Sequence, residues 1–257
     1  MPPFLLTAAT SPLAVATAHH LVRLGHDVVA LARNPARATE LPPGVEVLEV
    51  DLSDPAAIDR LSLPEVAGVM HLAGILRASA HPVPHGWADG PDHVDLTWAT
   101  NVLGPLRLVH RLLPTLPDGA PVALISGSTH RRAPLPDARF ASTGFRAGLQ
   151  ATTAKVMWAR ALARRRPDLV ATTFCPGRVE SGLHRGLPWP LSWLGALAAL
   201  SARDATEVAP VLVPLLLHGH TSGTYLEAGV RSAPAPHTSD EALQDAVWDR
   251  VASWAKA

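Results

Sequence analysis

Phe4 to Ala32 reads F-L-L-T-A-A-T-S-P-L-A-V-A-T-A-H-H-L-V-R-L-G-H-D-V-V-A-L-A. Phe4 to Ala8 is a short run with no polar face, the pattern of a strand buried on both sides. Leu13 to Leu24 follows as a helix ended by Gly25, and Asp27 to Ala32 as a second strand. The alternation continues: strands are expected at Val45–Val50, after the turn Pro42-Pro43-Gly44, and at Val66–Leu72, Val122–Ser126 and Leu169–Phe174. Helices are expected at Leu96–Leu113 and Gly148–Arg165. Repeated β-α-β with apolar strands predicts an α/β fold, a Rossmann-like doubly wound parallel sheet in a single domain over residues 1–257. Beyond Pro176-Gly177 the rhythm lapses into an apolar, Trp- and Pro-rich stretch to about Leu200. A helix from Asp204, a short strand around Tyr225 and a terminal helix from Ser239 complete the chain.

Composition narrows the function classes. The 257 residues are 47% hydrophobic and 17% charged, with 22 basic and 22 acidic side chains. That balance leaves no electrostatic footprint for nucleic acid or an anionic membrane, so a small-molecule partner is expected. Cys175 is the only cysteine, which excludes an internal disulfide and a cysteine-based zinc cluster and suits a cytoplasmic protein. No signal peptide is read in Met1–Thr10, and the apolar runs Leu191–Leu200 and Val208–Leu217 are about half the roughly 20 residues of a membrane span. His81, His85, Asp89, Asp92, His93 and Asp95 crowd one loop, but Pro and Gly between them argue for a solvated insertion, and no metal is expected. Lys155 and Lys256 are the only lysines in an arginine-biased chain, so an internal lysine calls for a reason.

A dinucleotide fold needs glycines after its first strand, where backbone amides at a helix N-terminus approach a pyrophosphate. Thr7 to Ala18, T-A-A-T-S-P-L-A-V-A-T-A, has none. It nevertheless resembles, without gaps, the T-G-A-T-S-G-I-G-R-A-T-A turn of short-chain dehydrogenases/reductases, with Ala8, Pro12 and Ala14 at the glycine positions and Val15 at that of an arginine often tied to NADP preference. The resemblance covers nearly the whole chain. A-R-N-P-A-R-A from Ala32, V-D-L-S-D from Val50, H-L-A-G from His71, the helix ending T-N-V-L-G-P, I-S-G-S-T-H-R-R from Ile125, Q-A-T-T-A-K-V from Gln150 and C-P-G-R-V-E-S from Cys175 occur in the family's order. The long serine-to-lysine spacing and His130 are most similar to the retinol-dehydrogenase-like branch.

The resemblance implies cofactor contacts at Thr7, Pro12, Leu13, Arg33, Asp51, Leu52, Ala73, Gly74, Pro176, Gly177, Val179 and Ser181, with Ser181 binding the nicotinamide amide. It implies catalytic roles for Lys155 and Asn101, and for Ser126 or Ser128, since the serine position itself falls on Gly127. His130 is a candidate acid or base. Around the substrate it places Ala151, His71, His184, Trp189 and Trp193, with a lid over residues 178–203, and it makes the Gly148–Arg165 helix a contact in a homodimer or homotetramer. The family's proton-donating tyrosine is Ala151 here, and the sole tyrosine is Tyr225. Acid–base help is worth about 10²- to 10⁴-fold, so an ordinary ketoreductase would be badly impaired by that loss.

Three readings follow. The first is an atypical enzyme of this fold acting on a bulky hydrophobic small molecule by non-redox chemistry (cyclisation, isomerisation or dehydration), as in natural-product biosynthesis, with no cofactor or a weakened NADP(H) site. The second is an NADP(H)-dependent oxidoreductase with a non-standard site. The third is a ligand- or nucleotide-sensing protein without chemistry. Replacing phenol by methyl at position 151 is expected to leave space beside Lys155.

Overall fold

A computed structural model describes residues 1–83, 87, 94–136, 140–180, 187–190, 192–193, 197, 201–218 and 220–255. β1 (Phe4–Thr7), β2 (Val28–Ala32), β4 (Gly68–His71) and β7 (Pro121–Ile125) are buried throughout or nearly so, because helices cover both faces of the sheet. β3 (Glu46–Glu49) carries charge at both ends and is the exposed edge. β8 (Val170–Cys175) and β9 (Thr224–Glu227) extend the sheet on the other side. With β10 (Val230–Ser232) at one edge, the strand order is β10-β9-β8-β7-β4-β1-β2-β3, parallel except for the last hairpin. β1 is flanked by β2 and β4, with Phe4 opposite both Val28 and Gly68. The chain therefore reverses its direction of progress beside β1. In such sheets the crevice at the carboxyl ends of the strands flanking that reversal is where ligands bind.

The expected strands and the doubly wound sheet are present. The structure adds elements the pattern did not disclose. α2 (Pro55–Arg60) is too short for a clear period and starts on the Asp54 side-chain cap. β5 (Pro82–Val83) and β6 (Val94–Asp95) form a separate two-stranded ribbon. β10 (Val230–Ser232) folds back on β9 through Ala228 and Gly229, both with positive φ, as a two-residue hairpin of the primed type requires.

α1 (Pro12–Arg23) begins with Ser11 as N-cap and proline in its first turn, where a missing N–H costs no helical bond. The expected Leu96–Leu113 helix is split into α3 (Leu96–Trp98), a π turn at Ala99–Leu103 and α4 (Gly104–Leu112). Glycine is required at 104, where a Cβ would collide with the Leu52 carbonyl. α5 (Gly144–Arg165) starts four residues earlier than expected, since Gly148 does not break it but makes room for Leu76. α6 (Ala205–Leu212), capped by Asp204, and α7 (Pro214–Leu217) pack beside α1 and β7.

The final helix, α8 (Glu241–Ala255), lies on α5 and α4. Trp248 stacks on Trp158 at 5.2 Å and 17°, and His110 closes on both indoles. The α5 helix, a subunit contact by resemblance, is thus packed by a helix of its own chain. No described helix is long and apolar enough to cross a membrane.

Candidate active site

The groove beside the carboxyl ends of β1, β2 and β4 is a cavity of about 290 Å³, lined by Ala8, Ser11, Pro12, Arg33, Asp51 and Gly74 among others. Ala8 holds φ +62°, the left-handed conformation that glycine adopts without penalty. The backbone of the turn is kept although the glycine is gone. Ala14 N–H is taken by Ser11 Oγ at 3.2 Å and Val15 N–H by the Ser11 carbonyl at 3.0 Å. Leu13 N–H is the first-turn amide left for a phosphate. Arg33, Asn34 and Arg37, all exposed, stand over the far end of the groove. Asp51 takes Ser53 N–H and Oγ–H at 2.8 Å each on a single carboxylate oxygen. Asp51 also lines the groove. A hollow with an open helix amide at one end and two guanidinium groups at the other fits a dinucleotide carrying an extra phosphate. Arg37 was missed from sequence, although it lies on the same segment as Arg33, four residues on.

Thr7, expected at the cofactor, spends its side chain elsewhere. Its Oγ1 accepts from Leu72 N at 2.9 Å and Ala73 N at 3.1 Å and lies 2.8 Å from His71 Nδ1. With both lone pairs filled, the hydroxyl donates to Nδ1, so neutral His71 carries its proton on Nε2. That Nε2 is buried without a partner among the described residues. Burial, and then the charge of nearby Lys155, hold His71 well below the usual imidazole range.

Lys155 is 4% exposed and makes no ion pair among the described residues. Burial lowers its pKa to about 7. It lies one turn beyond Ala151, which is 1% exposed and packed in the main core. The space expected at Ala151 is therefore not open at its side chain, because the surrounding residues have closed on the methyl group.

At the end of β7, Ser126 Oγ donates to the Thr152 carbonyl of α5 at 3.0 Å. A Cβ on Gly127 would sit 3.5 Å from Thr152 Cγ2. Thr152, the neighbour of Ala151, therefore shares this corner; only its place one turn before Lys155 could have singled it out. Ser128 is exposed and lines a separate cavity of about 380 Å³ with Thr129, Arg131, Leu149 and Glu227. His130 is buried, and its Nδ1–H donates to the Gly127 carbonyl at 2.7 Å, which leaves Nε2 as an acceptor without a partner among the described residues. Burial lowers its pKa.

Tyr225 is edge-on to the His130 ring at 4.5 Å and packs with Val156 and Cys175. Burial, with the neighbouring Cys175 and Glu227, pushes its phenol far above the ordinary range, so it is a poor proton donor. The only phenol is near the site but locked beneath it.

Asn101, given a catalytic role by the resemblance, bonds the backbone of Ile75 twice: Oδ1 accepts from Ile75 N at 2.8 Å and Nδ2 donates to Ile75 O at 2.9 Å. It sits at the centre of the π turn and ties that turn to the loop after β4. Its amide positions this loop rather than presenting a free group. Leu52 and Ala73 line the groove. Pro176, Gly177 (φ +80°) and Val179 form the loop after β8, tied down where Val179 pairs with Arg203. Trp189 and Trp193 are 82% and 57% exposed, so they belong neither to the core nor to a closed pocket wall among the described residues. Ser181, His184 and half of the expected lid lie outside the described residues, as do His85, Asp89, Asp92 and His93. Asp95 of the same loop caps α3 and accepts from the backbone N–H groups of His81, Thr97 and Gly144.

Residues 5–139 match the NAD dependent epimerase/dehydratase family. Among solved structures, an uncharacterized protein from Mycobacterium paratuberculosis is 22% identical, with 100% of this chain and 94% of that chain covered and a TM-score of 0.72. A short chain dehydrogenase from Burkholderia cenocepacia, solved in complex with NADP, is 21% identical over 89% of this chain and 97% of its own, with a TM-score of 0.66. The ligand-free aldohexose dehydrogenase of Thermoplasma acidophilum is 16% identical, covering 89% and 94%, with a TM-score of 0.63. These likenesses carry the fold. No curated protein matches the sequence.

Proposed function

The chain belongs to the NAD dependent epimerase/dehydratase family, within the short-chain dehydrogenase/reductase-like superfamily, and we propose that it is an NADP(H)-binding enzyme in which Lys155 replaces the missing phenol as the acid–base group. What carries this reading is the placement of Lys155: buried on α5, without a carboxylate partner among the described residues, and held by that burial at a pKa of about 7. Such an amine holds comparable amounts of acid and base at neutral pH, the condition in which proton transfer is most effective. Its ammonium form donates a proton to the oxygen of a bound carbonyl, and its neutral form removes the proton from a bound hydroxyl. The groove lined by Pro12, Arg33 and Arg37 would hold the nicotinamide cofactor, whose chemistry would be to supply the hydride in one direction and take it up in the other. Ser126 and Thr152 fix the corner of β7 against α5, and Asn101 fixes the loop after β4. Arg33 and Arg37 give the groove its preference for the phosphorylated cofactor. Trp189 and Trp193, exposed in the segment after β8, favour a bulky hydrophobic substrate.

NADPH fluorescence titration followed by its oxidation with a panel of aryl ketones tests this reading. Binding in the micromolar range, and a rate that titrates near pH 7 and is lost in Lys155→Met, are expected. A folded protein that does not bind NADPH overturns it.

The absent phenol, with Ser11 and Pro12 withdrawing first-turn amides, favours a second reading: non-redox cyclisation, isomerisation or dehydration of a natural-product-like substrate around the same Lys155. Turnover without any nicotinamide decides for it.

A further inference from the structure

Side chains two apart on a strand share a face, so Val69 and His71 of β4 point the same way, as do Leu5 and Thr7 of β1. Val69, Leu5 and Leu124, the β7 residue paired with His71, pack in one cluster with Ala151 and Ala154 of α5. Met70 and Leu72 pack on the other face of the sheet. Lys155 lies one turn beyond Ala151 and shares its face of the helix. His71 and Lys155 thus occupy the same layer, between the carboxyl end of β4 and α5, and Lys155 is the one charged side chain that acts on His71. The nearby polar groups are engaged elsewhere. Asn101 is bound to Ile75, Ser126 to the Thr152 carbonyl, and Cys175 and Tyr225 gather round Val156. His71 Nε2 is buried with no partner among the described residues, and no carboxylate pairs with Lys155 there.

The tautomer makes this pair directional. Thr7 Oγ1 accepts two backbone N–H groups and therefore donates to Nδ1, so neutral His71 has an Nε2–H to offer and no lone pair. A donor beside an amine favours the neutral amine, whose lone pair can accept, over the ammonium, which has only hydrogens to give. We propose that His71 is a positioning residue for Lys155, and that Thr7, by fixing the imidazole as a donor, keeps the amine lone pair ready to take a proton from a bound hydroxyl. The step it serves is a proton transfer between substrate oxygen and Lys155 Nζ, in which the imidazole stays neutral and neither gains nor loses a proton. This deepens the reading of Lys155 as the acid–base group, and its place in turnover rests on that reading.

The chain has two lysines, Lys155 and Lys256, so isotope-labelled lysine gives two side-chain NMR signals in the full chain, and Lys155→Met assigns them. Titrating the free protein then reads the Lys155 midpoint without cofactor or turnover. Thr7→Val frees His71 to carry its proton on Nδ1 and to accept from the ammonium at Nε2, so the midpoint should rise by about one pH unit, the value of one charge-assisted hydrogen bond. Thr7→Ser keeps the donor and should leave the midpoint in place. Once His71→Phe has removed the imidazole, adding Thr7→Val should change nothing further. The wild type gives a check that no unfolded variant can spoil: the His71 Nε2 signal should move with the Lys155 midpoint while His71 itself stays neutral, and Lys155→Met should flatten it. An unmoved midpoint in folded Thr7→Val, the same rise in the His71→Phe background, a rise in Thr7→Ser, or a His71 signal indifferent to Lys155 would each overturn the proposal. Because the titration uses no cofactor, a failure to bind NADPH would remove the reading of function and leave this result as measured.

Discussion

Thr7 of β1 gives its hydroxyl proton to Nδ1 of His71 at the end of β4, 2.8 Å away, and so decides which nitrogen of a buried imidazole is protonated. Nitrogen-15 NMR should find His71 as the neutral Nε2–H tautomer, still neutral well below pH 6.5 because burial opposes its charge. Thr7→Val should remove the donor and leave two backbone N–H groups unpaired, costing about 2 kcal/mol in denaturant unfolding. An Nδ1–H signal in the wild type would rule the arrangement out.

Lys155 makes stability depend on pH. Its folded pKa is about 7 against an ordinary 10.5, so between these values the unfolded chain binds more protons than the folded one. Stability then rises with pH across that window, and the lysine is most destabilising below pH 7. Lys155→Met should be more stable than the wild type at pH 6, by on the order of 1.4 kcal/mol for each unit of pKa depression, and the gap should narrow toward pH 10. Melting curves at both values measure it, and a gap that does not change with pH refutes a buried, neutralisable amine.

Ala8 holds a left-handed conformation that costs an alanine about 1–2 kcal/mol, partly offset by the flexibility glycine would add to the unfolded chain. Ala8→Gly should stabilise the fold by about 0.5–1 kcal/mol, a rise in Tm of about 1–4 °C for a chain of this size. A lowered Tm would mean that the turn has some other conformation.

Arg33→Gln and Arg37→Gln should each weaken NADPH binding by about tenfold while leaving NADH unchanged, as expected when one charge-assisted contact to the extra phosphate is lost. Fluorescence titration with both cofactors separates this from a general loss of binding. Equal weakening of NADH would remove the arginines from the phosphate.

The sheet was legible because β1, β2, β4 and β7 are short apolar runs bounded by turn residues, as burial of both faces demands, and the edge strand β3 still places apolar residues between charged ones. α2 and β10 were not, since six and three residues carry too little periodicity to rise above their surroundings. At the site, sequence order was enough to single out Lys155 and Asn101, but not what their atoms do. That Asn101 is spent on Ile75, or Thr7 on His71, depends on residues 26 and 64 positions apart, a relation that no local pattern encodes. The missing phenol was plain in the sequence. The closure of the core around Ala151 was not, because repacking is a property of all its neighbours together.

The stacked indoles of Trp158 and Trp248 turn the seam between α5 and α8 into an optical gauge. Two chromophores held nearly parallel and this close couple electronically, so their near-ultraviolet circular dichroism exists only while the seam is shut. The helix that bears Lys155 thus carries a built-in signal of its own anchorage, readable without a label or a substrate.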